Sequence, residues 1–278
     1  MDIFSAVSET ALITLKARVV ESRKQEPVIE DPIAVECFLK LQSLLPTEIR
    51  KRILDRKLPL TLTRYIALRA RKYDLCTKQF LSGYRDGLVV SLGCGFDTRY
   101  WRISKEAWKY VEVDLPNVIE VKKQVLGNIV THPMIGCSVL EEDWIKRILS
   151  IQREHVLFLA EGLLMYLPKD RVINLFRRLA ASFTKSEIMF EVVTEKYTKG
   201  IRKKIVESKL NARGTRAGSS YDYGIRGGND IESYSDKIKI VEEWSYFEDE
   251  DIEPKILRLL RNFKAFSRGQ WTIRAKID

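Results

Sequence analysis

From Gly83 onward the chain alternates short apolar runs with longer amphipathic stretches, and this alternation narrows the choice of fold more than any other feature. The runs are Leu88-Val89-Val90-Ser91-Leu92, Tyr110-Val111-Glu112-Val113, Val156-Leu157-Phe158-Leu159 and Ile188-Met189-Phe190-Glu191-Val192-Val193. Each has the length of a strand buried on both faces. Residues 115–126 and 169–183 lie between them with helical spacing. Strands alternating with helices predict an α/β fold, a mostly parallel sheet with helices on both faces. Residues 134–140 offer one more strand, and 239–246 and 271–277 two closing strands with a helix over 254–263 between them.

The stretch before Gly83 reads as helical. Ser8 is a candidate N-cap for a helix whose apolar face is Ala11, Leu12, Leu15, Val19 and Val20. Asp31 and Pro32 form a cap and first-turn pair for a second helix through Leu41, and Pro46-Thr47 starts a third. Residues 60–81 carry Tyr65, Leu68, Tyr73, Leu75 and Phe80 among charges and predict a long amphipathic helix. The expected organisation is an N-terminal helical extension over 1–85 and an α/β unit over 86–278. Residues 195–236 form a substrate-side insertion: a charged helix over 196–212, then a loop over 213–230 rich in Gly, Ser and Arg.

The charge balance is +10, from 48 Lys and Arg against 38 Asp and Glu. The cations are diluted by acids, with only short clusters such as Arg202-Lys203-Lys204, so a solvated surface is expected rather than a nucleic-acid face. Four cysteines without a CxxC pair, and only two histidines, argue against a metal site. No apolar run has the length of a membrane span, and residues 1–11 lack a basic n-region, so neither a membrane partner nor a signal peptide is expected. The thiols are accordingly read as reduced and the location as cytoplasmic.

Three places carry chemistry. Gly93-Cys94-Gly95 follows the first sheet strand, where glycines allow a sharp turn and close approach of a ligand to the backbone. Asp114 closes the next strand about twenty residues later, where an acid can accept hydrogen bonds from two ribose hydroxyls. The competing role is an N-cap for the helix that begins at Pro116. Glu161, in Ala160-Glu161-Gly162-Leu163-Leu164-Met165-Tyr166, stands at the same edge of the sheet and needs a cationic or donor partner. Arg69, on the preceding helix, can hold a carboxylate bidentately. For both Arg69 and Glu161 the alternative is a structural ion pair. A dinucleotide fingerprint would need a third glycine where Thr98 stands, which disfavours a nicotinamide cofactor.

The segments 8–23, 91–102 (SLGCGFDTRYWR), 112–116 (EVDLP) and 161–168 (EGLLMYLP) resemble the leucine carboxyl methyltransferase family. The likeness is greatest to its polyketide O-methyltransferase branch, and Tyr223-Gly224-Ile225 and Glu242-Glu243-Trp244-Ser245-Tyr246 also resemble that branch. This resemblance implies a class I, Rossmann-like methyltransferase fold with a seven-stranded sheet and S-adenosyl-L-methionine as cofactor. It implies cofactor contacts at Arg69, Gly93, Cys94, Gly95, Asp114, Leu115, Ser138, Val139 and Glu161, with Glu141 a further contact and one more near Thr14. Asp97 and Arg99 match its DTR triplet and are read as an ion pair that shapes the turn.

The acceptor is read from what is missing. A phenol usually needs a general base, commonly His. His155 begins a strand and His132 precedes one, both at the end away from the glycine turn. A carboxylate is already ionised at neutral pH and needs no base. Arg213, Arg216, Tyr221, Tyr223 and Arg226 are candidates to position it. The expected activity is O-methylation of a small-molecule carboxylate. A phenol, a protein C-terminus and a non-catalytic basic binding module are the alternatives.

Overall fold

The structure, a computed structural model, describes residues 9–103, 109–212 and 220–278. Helices α1 (Glu9–Ser22), α2 (Pro32–Leu44), α3 (Thr47–Ile49) and α4 (Leu60–Gly83) precede the first strand. Asp31 caps α2 as expected: its carboxylate accepts the Ala34 N–H at 3.0 Å, with Pro32 in the first turn. Ser8, the proposed cap of α1, lies outside the described residues.

The α/β part runs β1 (Leu88–Leu92), α5 (Arg99–Ile103), β2 (Tyr110–Asp114), α6 (Pro116–Leu126), β3 (Met134–Gly136), α7 (Asp143–Ser150) and β4 (Val156–Ala160). It continues through α8 (Lys169–Ser182), β5 (Ser186–Val193), α9 (Gly200–Ala212), α10 (Gly228–Glu232), β6 (Ile238–Trp244), α11 (Lys264–Ser267) and β7 (Gln270–Ile277). The seven strands form one sheet in the order β3-β2-β1-β4-β5-β7-β6. All neighbours are parallel except β7, which runs antiparallel to β5 and β6. β1, β4 and β5 are buried along their whole length, which is why their sequences are continuous apolar runs rather than alternations.

Three expectations shift. β3 ends at Gly136, and residues 137–140 leave the sheet as a turn. The helix expected over 196–212 is broken at Gly200, whose φ of +58° lies in the left-handed region, so a 3₁₀ turn (Glu195–Thr198) precedes α9. Residues 255–262 form a 3₁₀ helix rather than an α-helix.

Apolar clusters cover both faces of the sheet. One face packs β-strand residues such as Val90, Phe158 and Phe190 against Trp144 of α7 and Leu175 and Phe176 of α8. On the other face Tyr73, Cys76 and Phe80 of α4 pack on Val89, Leu157 and Met189, and a separate core joins the N-terminal helices to Phe96 of the β1 turn and Val121 and Val125 of α6. The extension is thus packed directly on the turn that follows β1.

Candidate active site

The register brings the chemistry to one edge. Leu92 pairs with Val113 and Ser91 with Leu159, so Gly93, Asp114 and Glu161 all emerge at the carboxyl ends of adjacent strands. Ala160 pairs with Phe190, which sets Glu191 of β5 beside Glu161. A crevice of about 640 Å³ opens there, within the usual span for small-molecule sites. Its walls include Arg69, Gly93, Cys94, Gly95, Asp114, Leu115, Ser138, Val139 and Glu161, together with Thr14 of α1.

The turn requires its glycines. Gly93 and Gly95 have φ of +61° and +48°. A Cβ on Gly93 would meet Leu163 Cδ1 at 2.7 Å, and one on Gly95 would stand 3.0 Å from the Ala11 side chain. Cys94 is buried, and burial pushes its thiol well above the ordinary range, so it packs rather than reacts.

Asp114 holds this turn from the end of the neighbouring strand β2. Its Oδ2 accepts the Gly95 N–H at 2.7 Å and its Oδ1 the Leu115 N–H, also at 2.7 Å. It does not cap α6: Leu115 occupies that position without a side-chain bond. Burial raises the Asp114 pKa, an effect the two N–H donors only partly offset. Each oxygen keeps a lone pair for a further donor.

Glu161 is engaged by protein cations. Arg69 Nε reaches its Oε1 at 2.9 Å and Arg99 Nη2 its Oε2 at 2.6 Å. Burial opposes its ionised form, but the two guanidiniums prevail and hold its pKa below the usual value. Arg69 also donates through Nη1 to Glu191 Oε2 at 2.6 Å, so the structural ion pair weighed from the sequence is formed at both residues. Arg69 Nη2 makes no hydrogen bond to a described residue and lies close to Gly162, which lines the crevice. Asp97 and Arg99 form the expected pair, extended by Arg102 and Asp74.

Sequence reasoning missed several wall residues. Glu191, fully buried, accepts from Arg69, from Gln270 Nε2 at 2.8 Å and from the Tyr65 hydroxyl. An acid inside an otherwise apolar strand was the available signal. Arg18 of α1 donates to Phe96 O at 2.6 Å, tying the first helix to the glycine turn.

Other candidates fall elsewhere. Glu141 does not line the crevice; it accepts from Cys137 Sγ at 3.3 Å because the turn after β3 folds it back. Tyr223 is fully buried in the sheet core, its hydroxyl 3.2 Å from that of Tyr234, and is corrected as a positioning residue. Tyr221 packs edge-on against Tyr166, with ring centroids 5.5 Å apart, and only Tyr166 reaches the crevice. Arg226 is exposed and pairs with Asp230. Arg213 and Arg216 lie outside the described residues.

A seven-stranded sheet in this order, with glycine turn and acids facing one crevice at the strand ends, defines a class I methyltransferase. The family model of the leucine carboxyl methyltransferases matches residues 11–180. The tetracenomycin polyketide synthesis O-methyltransferase of Streptomyces glaucescens is 28% identical over 248 residues, spanning 87% of this chain and 83% of that one. A putative S-adenosyl-L-methionine-dependent methyltransferase of Mycobacterium sp. (strain JLS) is 32% identical over 196 residues, 65% of this chain and 64% of that one. Among solved structures, a DUF574 family protein from Streptomyces avermitilis is similar in fold, with a TM-score of 0.55 at 12% identity over 99% of this chain and 100% of that one. The chain belongs to the leucine carboxyl methyltransferase family. It is an enzyme of the S-adenosylmethionine-dependent methyltransferase class.

Proposed function

We propose that this enzyme methylates a carboxylate oxygen of a small molecule. One observation carries the reading: no histidine lines the crevice among the described residues, and every carboxylate there is already held. Glu9 pairs with Arg52, Asp97 with Arg99 and Arg102, and Asp222 with Lys203. Asp114, Glu161 and Glu191 have the partners described above. His132 sits 3.4 Å from Glu112 with its ring tilted against Tyr100, and His155 stacks on Tyr84, both away from the crevice. With no unengaged base, an acceptor that is already ionised fits best. The paired acids also leave the crevice less hostile to a second anion than their number implies.

The cofactor assignment rests on the same walls. Bound S-adenosylmethionine supplies an electrophilic methyl group on a sulfonium sulfur. In this reading Asp114 accepts the ribose hydroxyls, Arg69 Nη2 meets the amino-acid carboxylate, and Glu161 holds Arg69 in place. Gly93 and Gly95 would admit the ligand to the backbone, and Leu115, Val118, Ser138 and Val139, which line the same crevice, would hold the adenine. The chain's part is alignment and exclusion of water rather than proton transfer.

The test is a panel of small acids and phenols incubated with radiolabelled methyl donor, followed by mild alkali. Label released as methanol marks an ester. An alkali-stable product would overturn the carboxylate assignment in favour of an aryl ether. A product found only with peptides bearing a free C-terminus would shift it to a protein acceptor.

A further inference from the structure

We propose that residues 255–268 dock this enzyme on an anionic lipid surface. Between Pro254 and Arg268 the chain carries Lys255, Arg258, Arg261, Lys264 and Arg268 and no acid. It also leaves four large apolar side chains in solvent: Ile256 at 69% exposure, Leu259 at 67%, Phe263 at 60% and Phe266 at 53%. An exposed cluster of this kind on one short segment marks an interaction site rather than scattered surface apolarity.

Within Lys255–Asn262 the 3₁₀ geometry sorts the side chains into rows. With three residues per turn, side chains at i and i+3 eclipse. Leu257 and Leu260 share a half-buried row against the protein. Ile256 and Leu259 form an exposed apolar row beside them. Lys255, Arg258 and Arg261 form a basic row next to that. An α-helical spacing would have mixed the rows. Apolar side chains alongside cations are the layout of an interfacial helix, whose apolar row enters the acyl boundary while its cations meet headgroup phosphates.

The electrostatics of the neighbourhood agree. The acids before the segment are largely exposed, but most are engaged by the protein: Asp249 and Asp251 pair with Arg71, Glu253 with Arg64, and Glu248 caps its own turn. Glu250 approaches Arg258 at 3.9 Å, and Arg268 pairs with Glu243. Lys255, Arg261 and Lys264 make no ion pair with a described residue and are exposed. Apart from Asn262, the exposed side chains of 255–266 offer no neutral hydrogen-bonding group, whereas a specific protein contact draws on several. A bilayer needs only apolar depth and negative charge.

The segment also stands at the ligand edge. It ends at Gly269, whose carbonyl accepts the Thr194 N–H at 3.0 Å, and the next residue, Gln270, lines the crevice. A docked chain therefore holds its crevice beside the lipid. No helix among the described residues is long and apolar enough to cross a membrane. Surface docking requires no span, so it stands apart from the absence of a spanning run in the sequence.

Vesicle co-sedimentation of the full chain tests this. Vesicles of mixed phosphatidylcholine and phosphatidylglycerol are expected to carry the protein down, pure phosphatidylcholine much less, and binding is expected to weaken as salt rises. The combined variant Ile256→Ser, Leu259→Ser, Phe263→Ser is expected to lose at least about tenfold in partitioning, since each replaced side chain inserts apolar surface. Lys255→Glu with Lys264→Glu should lose roughly five-fold per cation on anionic vesicles. Circular dichroism and S-adenosylmethionine binding, unchanged in these surface variants, verify their fold. No sedimentation with anionic vesicles at low salt, or equal sedimentation of parent and variants, overturns the proposal. So does a parent dimer that the serine variant converts to monomer while neither binds vesicles, since the face then belongs to a second copy.

Discussion

Asp114 does two jobs at once, and its substitutions separate them. Its carboxylate anchors the glycine turn through Gly95 and Leu115 N–H and presents its remaining lone pairs to the crevice. Hydrogen bonds to a charged group contribute about 1.5–3 kcal/mol. Asp114→Ala is therefore expected to weaken S-adenosylmethionine binding by roughly ten- to a hundredfold in calorimetry; unchanged affinity would remove Asp114 from the site. The pH dependence has a definite sign. Burial raises the Asp114 pKa in the unliganded enzyme, and under the proposed cofactor placement it is the ionised form that would accept the ribose donors. Affinity is expected to fall on acidification already above the ordinary aspartate range, and Asp114→Asn should flatten that part of the profile. Glu161→Gln acts differently. It leaves Arg69 and Arg99 buried with one anion fewer, a change expected to cost about 3–5 kcal/mol and to appear in thermal melts even without ligand.

At the scale of elements, the turn after β1 is where backbone strain and packing meet. Gly93→Ala forces a left-handed residue and drives a methyl into Leu163. At least about 1 kcal/mol of stability should be lost, with a drop of about 2–4 °C in melting temperature for each kcal/mol. Helix α6 is tied to the same turn by Lys122, which is fully buried, pairs with Glu112 at 2.7 Å and donates to Asp97 O at 2.6 Å. Lys122→Met strands the Glu112 charge and is expected to cost about 3–5 kcal/mol. The double variant with Glu112→Gln should recover much of that loss in denaturant titration; no recovery would show that the bond to Asp97 O, not the buried pair, carries Lys122's contribution.

Across the whole molecule, buried carboxylates set the response to acid. Asp97, Glu112 and Glu161 all have pKa values held below the ordinary range, each with burial opposing and nearby cations prevailing. Their stabilisation is full above the unfolded-state carboxylate pKa and is lost as pH falls through the lower folded values. Asp114 has the opposite sign, because its raised pKa favours the protonated folded form at mildly acidic pH. With three groups against one, melting temperature is expected to fall below about pH 4. A melting temperature that stays level or rises down to strongly acidic pH would contradict the buried network.

The sequence by itself determined the element order, the parallel α/β sheet, the glycine turn and the acids at the strand ends. These depend on local rules: apolar run length, helical spacing, and the backbone freedom of glycine after a strand. It also placed Gly93, Asp114 and Glu161 at one edge, since strand ends in such a sheet converge. What only the tertiary structure decided is who bonds to whom across that edge. Arg69 meets Glu161 and Glu191 across 92 and 122 residues of chain, a pairing no local pattern encodes. Glu141 turns to Cys137, Tyr223 drops into the core, and the cap-like Asp114 bonds back to Gly95, because each is set by packing of neighbours that sequence spacing does not order. The same distinction separates the 3₁₀ rows of 255–262 from the α-helix that their composition implies: apolar and basic residues recur every third position, and only the folded backbone fixes the turn that aligns them.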